Sequence, residues 1–348
     1  MPEPSRRPAL DLDRPAGLAR AISIVENGRA GFEALLSDLH PKLGRARRIG
    51  ITGPPGAGKS TLTFQLAAAY RQAGATVAIV AVDPTSPFTG GALLGDRIRM
   101  ESVALDPGVF IRSMATRGSL GGLATTTREV TDVLDAAGYD RILIETVGVG
   151  QSELDVAKMA DSTILVLVPE AGDGIQTLKS GVMEIADLFV INKADRPGAE
   201  KLQHEIDVTL GIRKGNAFRR IKAHHGVSLK HAGAALPPEP GQNGKPAWEQ
   251  PVLLATASQG EGIGPILQAL DRHWDQMTAT GELAERRRRR LLQRTREVVS
   301  RSVDRWLWNE SGAEAIIEGQ LDEMAAGRTS PYEVAAAVVE GIRTGASR

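Results

Sequence analysis

The chain has 348 residues, balances 42 basic against 42 acidic side chains and contains no cysteine. Zero net charge leaves no overall field that would draw it to nucleic acid or a membrane surface, and the lack of thiols excludes disulfides and thiolate metal sites, as suits a reducing compartment. With 42 % apolar residues and no run of 18, a membrane span is not expected, and the opening MPEPSRRPALDLDRP has no signal core and carries acids that a transit peptide avoids, so a cytoplasmic location is expected.

Between residues 18 and 43, Leu18, Ile22, Val25, Phe32, Leu35, Leu36 and Leu39 recur at near-helical spacing, broken at Asn27-Gly28. This predicts two short amphipathic helices, an N-terminal helical segment over residues 1–45 that packs on the domain beginning at residue 46. Residues 47–70, RRIGITGPPGAGKSTLTFQLAAAY, then read as an apolar strand, a glycine-rich turn and a helix. The turn, Gly53-Pro54-Pro55-Gly56-Ala57-Gly58-Lys59-Ser60 with Thr61 behind it, fits G-x-x-x-x-G-K-[ST]. Glycines let backbone N–H groups point inward around a phosphate, and the helix adds its positive end. Lys59 can reach β- and γ-phosphate oxygens, and the Ser60 hydroxyl suits Mg²⁺.

From residue 46 to 277 strand and helix alternate. Strands are expected at 49–52, 77–82, 109–113, 141–145, 162–168, 188–192 and 252–256, mostly as continuous apolar runs, the mark of parallel strands buried on both faces. Helices fit between them, for example at 61–72, 123–137 and 151–160. The fold class is therefore α/β, a P-loop domain with a mostly parallel central sheet flanked by helices, and ligands in such sheets bind at the carboxyl ends of the strands.

The candidate chemistry falls at those ends. Asp83 closes the second strand and Glu145 the fourth, where a Walker B acid would hold the metal directly or through water. Asp96, in the glycine-rich TGGALLGDRIRM, is a third candidate acid in a segment that reads as a switch. Glu145-Thr146-Val147-Gly148 stands where a GTPase places D-x-x-G, so the Gly148 N–H can sense a γ-phosphate; Gln151 follows and reads first as a polar residue opening a helix, with orienting water as its candidate role. Asn192-Lys193-Ala194-Asp195 succeeds an apolar strand, where the acid can accept from guanine N1 and N2, a donor pair that adenine lacks. Thr256-Ala257-Ser258 matches, more loosely, the loop whose backbone meets guanine O6. Ala171-Gly172-Asp173-Gly174 with Lys179 six residues beyond the acid reads as a further mobile acid–base pair or as an ordinary loop with a surface ion pair.

Residues 211–250 are irregular, and His224-His225 with His231 there read as solvated histidines of a basic insertion, since no acid or cysteine stands at a ligand spacing. From residue 278 the chain reads as all-helical. Arg286–Arg290 surround a helix, which reads as a solvated face rather than a groove-facing stripe. Leu291, Val298, Val299, Val303, Trp306 and Leu307 form an apolar face, and Trp306 and Trp308, two apart, cannot both lie on it. A last helix is expected at 330–343 behind a Ser-Pro start.

With GPPGAGKST, AVDPTSP, ATRGSLGGLA, ETVGVGQSE, PEAGDGIQTLKSGVMEIAD and NKAD all in order, the chain resembles the MeaB/ArgK family over roughly residues 15 to 345. These are the methylmalonyl-CoA mutase-associated GTPases, including the methylmalonic aciduria type A protein, some labelled LAO/AO transport ATPases. The resemblance implies a GTPase chaperone that binds GTP, GDP and Mg²⁺, gates adenosylcobalamin delivery to a cobalamin-dependent acyl-CoA mutase and protects that enzyme. It assigns Lys59 and Ser60 to phosphate and metal, Asp83, Asp96 and Glu145 to metal and switches, Asn192 and Asp195 to guanine, and Asp173 and Lys179 to a third switch. It also implies a homodimer through C-terminal helices of residues 278–348. One departure is the insertion-like stretch Lys214–Lys245, which leaves partner identity open. Two rivals remain: a nickel-inserting metallochaperone GTPase, which would need a Cys/His cluster, and a kinase or transport ATPase, against which N-K-A-D argues.

Overall fold

The computed structural model describes residues 10–83, 105–115, 122–146, 152–169, 182–213, 240–241, 245–246 and 248–344. They divide into two compact units, Met1–Arg286 and Arg287–Arg348.

The first unit is built on a seven-stranded, fully parallel sheet. Its strands are β1 (Arg47–Thr52), β2 (Val77–Asp83), β3 (Val109–Ala115), β4 (Arg141–Thr146), β5 (Ser162–Leu167), β6 (Leu188–Ile191) and β7 (Val252–Leu254), in the order β3-β2-β4-β1-β5-β6-β7. All seven expected strands are present within a residue or two of their bounds, because each apolar run is long enough to cross a sheet covered on both faces. Every residue of β5 and β6 is buried.

Side chains alternate between two cores, as the strand repeat of two requires. On one face Ile49, Ile51, Leu143, Ile164 and Val166 pack with α3 (Lys59–Gln72) and α8 (Ile263–Thr280). On the other, Ile142 and Ile144 meet α1 (Pro15–Glu26), α2 (Phe32–Leu39), α4 (Gly122–Ala136) and α5 (Ser152–Met159). Farther along that face Leu165, Leu167, Phe189 and Ile191 meet α6 (Val182–Ile185) and α7 (Ala199–Arg213). The two N-terminal helices thus belong to the core: Leu18, Ala21, Ile22 and Val25 are buried, and Glu26 pairs with Arg112 of β3.

Charges hold the amino edge of the sheet. Asp135 accepts the backbone N–H groups of Gly44, Arg45 and Ala46 and, with Asp132, binds the Arg48 guanidinium at 2.8 Å. Burial works against the charge on Arg48, but these two carboxylates outweigh it and raise its pKa. Residues 240–241 and 245–246 form a two-residue antiparallel ladder.

The second unit continues α9 (Glu282–Asn309) and adds α10 (Ala313–Glu318), α11 (Leu321–Ala325) and α12 (Pro331–Thr344). The Ser-Pro start caps α12: Ser330 N–H donates to Glu333 Oε2 at 2.7 Å and Glu333 N–H donates back to Ser330 Oγ at 3.3 Å, a reciprocal capping box. α10 packs on α12 around Ala313, Val334 and Val338. Trp306 and Trp308 are both exposed, at 43 % and 49 %.

Candidate nucleotide site

The site is assembled where β1, β4, β6 and β7 end. β1 delivers the chain into residues 53–58, and α3 starts at Lys59. Two glycines are needed here. A Cβ on Gly53, whose φ is +141°, would lie 2.1 Å from the Val166 carbonyl oxygen, and one on Gly58, at φ +84°, would lie 2.3 Å from Asn192 Nδ2. The loop therefore passes against β5 and the loop after β6 at distances no side chain allows. Pro55 and Gly56 form its exposed crest, and nothing lies within 4 Å of where a Gly56 Cβ would be. The Lys59 side chain is buried and folds back along its own loop, with Nζ donating to the carbonyls of Gly53 (2.8 Å) and Pro54 (3.0 Å). The cation is thus held against the start of the loop, beside its crest, while Thr61 stands half-buried in the first turn.

Glu145, next to last in β4, stands opposite Ile51 of β1 and is 2 % exposed. Ser60 Oγ donates to Glu145 Oε1 at 2.5 Å, and Thr146 Oγ1 to Thr52 Oγ1 at 3.2 Å just behind. A hydroxyl and a buried carboxylate brought together beside the P-loop form an oxygen-only donor set, which suits Mg²⁺, a hard cation that prefers one or two carboxylates plus phosphate oxygens. The backbone of Asp83 ends β2, one residue beyond the Val82–Thr146 pair, so it shares this edge; its side chain lies outside the described residues. Asp96, Gly148, Gln151, Asp173 and Lys179 also lie outside the described residues.

The two base-side loops meet through one side chain. Asn192, 3 % exposed, donates from Nδ2 to the Ala57 carbonyl of the P-loop (2.8 Å) and accepts at Oδ1 from the Ala257 N–H (3.0 Å). It bolts three segments together. Lys193 takes φ +57°, a left-handed conformation uncommon for a side-chain-bearing residue, which turns the chain sharply after β6. Ala194 N–H then donates to Ala255 O at 3.0 Å. Asp195 emerges exposed, while Thr256 and Ala257 are buried and Ser258 is exposed. The structure therefore gathers the P-loop, Ser60, Glu145, Asn192 and the 256–258 loop at one edge, with Asp195 on its rim.

The family model described as methylmalonyl-CoA mutase-associated GTPase MeaB matches residues 18–311, most of the chain. The chain belongs to the MeaB family of P-loop GTPases. A Pyrococcus horikoshii relative, described at the level of GTPase, is 43 % identical over 283 residues, 81 % of this chain and 81 % of its own length. GTPase ArgK of Escherichia coli is 36 % identical over 292 residues, 83 % of this chain and 81 % of its own. The mouse methylmalonic aciduria type A homolog is 37 % identical over 262 residues, 75 % of this chain and 54 % of its own. Among solved structures, a LAO/AO transport system kinase superposes with a TM-score of 0.63 at 27 % identity, over 95 % of this chain and 94 % of that one. No described helix of this MeaB-family chain is long and apolar enough to cross a membrane.

Sequence reasoning missed a second polar cluster in this MeaB-family chain, at the amino edge of the sheet. Asp187, the last residue of MEIAD, is buried beside His273, Trp248 and Arg286. Arg286 is the first of the five arginines read as a solvated face, yet its guanidinium is turned inward onto a carboxylate. His273 carried a signal in its spacing: it continues the buried face Ile266, Leu270, Met277 of α8, where a histidine needs polar partners.

Proposed function

We propose that this chain is a GTP-driven chaperone that gates the delivery of adenosylcobalamin to a cobalamin-dependent acyl-CoA mutase, and protects that enzyme. The observation that carries the GTP half is Asn192: a motif chosen to read a base is bonded directly to the loop chosen to hold phosphates, so base recognition and phosphate binding share one rigid frame. In this reading Lys59 and the P-loop amides bind the phosphates, Ser60, Glu145, Asp83 and Asp96 serve Mg²⁺, and Gly148 with Gln151 belongs to the part that responds to the γ-phosphate. Bound by these oxygens, Mg²⁺ would supply charge neutralisation to the phosphates. Asp195 reads the guanine edge, and Thr256-Ala257-Ser258 backs O6. The mutase half is supported by the family's description and by the mouse relative's name.

The test is GTP turnover with and without a cobalamin-dependent acyl-CoA mutase. Acceleration by the mutase is expected, and Asp173→Ala or Lys179→Ala should keep basal hydrolysis within a few fold while losing the acceleration. Full acceleration in both variants would remove that loop from the mechanism; none in the wild type would remove the mutase. The nickel-insertion rival gains nothing from a chain without cysteine.

The partner of the C-terminal helices is proposed to be a second copy. No residue of α9 is buried, and Val299, Val303 and Trp306 are 55 %, 50 % and 43 % exposed on a helix of 28 residues. A stripe of that size is unusual on an isolated chain. Val299→Glu with Val303→Glu should turn the dimer into a monomer by light scattering; a dimer unchanged by both charges would place the contact elsewhere.

A further inference from the structure

Asp187 stands at the amino end of β6, the opposite end from Asn192. Its Oδ1 accepts from Arg286 Nη1 and Nη2, both at 3.0 Å, and lies 3.3 Å from His273 Nε2. Its Oδ2 accepts the Thr163 N–H at 2.9 Å and Arg286 Nη1 at 3.2 Å, and its backbone carbonyl accepts Trp248 Nε1 at 2.8 Å. His273, fully buried, packs at a tilt of 48° against Trp248 with ring centroids 4.7 Å apart and bonds through Nδ1 to Ser162 Oγ at 2.8 Å. Arg286 also donates to the Asp161 carbonyl (3.2 Å) and is oriented by Glu282 (2.8 Å). One ion pair therefore gathers the starts of β5 and β6 and the chain entering β7.

Two of those strands, β6 and β7, end at the guanine loops, and β5 borders them. Leu167 O of β5 accepts the Asn192 N–H, β6 runs four residues from Asp187 to Asn192, and β7 runs from Val252 to the 256–258 loop. β7 is the edge strand and pairs with β6 through three residues, Phe189–Val252, Val190–Leu253 and Ile191–Leu254. Backbone bonds from Phe189 N–H to Pro251 O and from Ala255 N–H to Ile191 O extend that ladder by one step at each end, and Trp248 ties the chain entering β7 to Asp187. Burial alone would raise the pKa of Asp187, but contact with His273 and Arg286 reverses this and holds it below the ordinary range, so the lock is charged near neutral pH.

We propose that Arg286 and Asp187 are positioning residues for guanine-nucleotide binding: their lock at the amino edge sets how β6 and β7 present Asn192–Asp195 and Thr256–Ser258 at the other edge. The proposal rests on the guanine reading of those loops. Because the lock touches the starts of β5 and β6 and the chain entering β7, and not the P-loop, loosening it should act on nucleotide affinity rather than on the phosphate chemistry.

The experiment is stopped-flow release of a fluorescent GDP analogue from the full chain, with kcat at saturating GTP and a thermal melt run alongside. Arg286→Gln should speed release about fivefold or more, a typical coupling between linked sites, with kcat within twofold and KM raised; Arg286→Lys should recover part of the effect. A folded Arg286→Gln that releases GDP at the wild-type rate overturns the proposal. If that variant does not fold, Glu282→Gln carries the test: it removes the exposed group that orients Arg286 and leaves the buried pair intact, so release should rise about twofold, and an unchanged rate overturns the lock. Wild-type protein that binds ATP as well as GTP would sink the guanine reading and this proposal with it, whereas guanine selectivity with unaltered release sinks the lock alone.

Discussion

Lys59→Ala is expected to lower GTP turnover about 100- to 1,000-fold, the usual loss when one preorganised charge on a transferring group is removed. The reason is visible before any nucleotide arrives. Lys59 is buried, yet its ammonium is bonded to the Gly53 and Pro54 carbonyls at the start of the phosphate loop. Those carbonyls lie beside the exposed crest at Pro55 and Gly56, so a nucleotide phosphate meets a cation already in place. The same geometry predicts a mild effect on stability. Lys59 is not among the side chains that build the core over β1 and β4, and the Gly53 and Pro54 carbonyls lose one partner, which costs about 1–3 kcal/mol. Phosphate release at saturating GTP should collapse while the melting temperature falls by no more than roughly 10 °C. Turnover within twofold of wild type would show that the loop does not hold the triphosphate.

The sheet was legible because its physics is local. Six buried residues in a row at 162–167, or four at 188–191, satisfy the parallel-strand pattern without knowledge of neighbours. The P-loop was legible from its own contiguous motif, although the close approaches by Val166 O and Asn192 that require glycine at 53 and 58 come from distant segments. What could not be read is pairing across long separations. Arg48 and Asp132 are 84 residues apart, Asp187 and Arg286 are 99 apart, and every arginine in a run of five looks alike until the fold turns one inward. The histidines that drew notice, His224 and His225, lie outside the described residues, while His273 sat unremarked on an apolar helix face. Asn192 falls between these cases. Its motif announced base recognition, but the bond from its amide to Ala57 became visible once β1 and β6 were placed either side of β5.

Asp195→Asn should exchange GTP preference for xanthosine triphosphate preference. Guanine presents two donors, N1–H and the exocyclic amine, and a carboxylate accepts both. An amide in its place keeps one acceptor and sets an N–H against the exocyclic amine, donor against donor. Losing a charge-assisted bond and gaining that mismatch costs about 3 kcal/mol, roughly a hundredfold in affinity. Xanthine carries a carbonyl where guanine has its amine, so the same substitution gains a bond there. The effect should stay confined to the base. Asp195 is exposed on the rim, whereas the buried tie between the P-loop and the 256–258 loop is made by Asn192, which the substitution leaves alone. Folding and the phosphate-binding frame are thus unaltered, and kcat with saturating xanthosine triphosphate should approach that of the wild type with GTP. Competition binding of the two nucleotides to both proteins reads the switch directly. Retention of GTP preference by the variant would mean that another group reads the guanine edge, and the role given to Asp195 would fall.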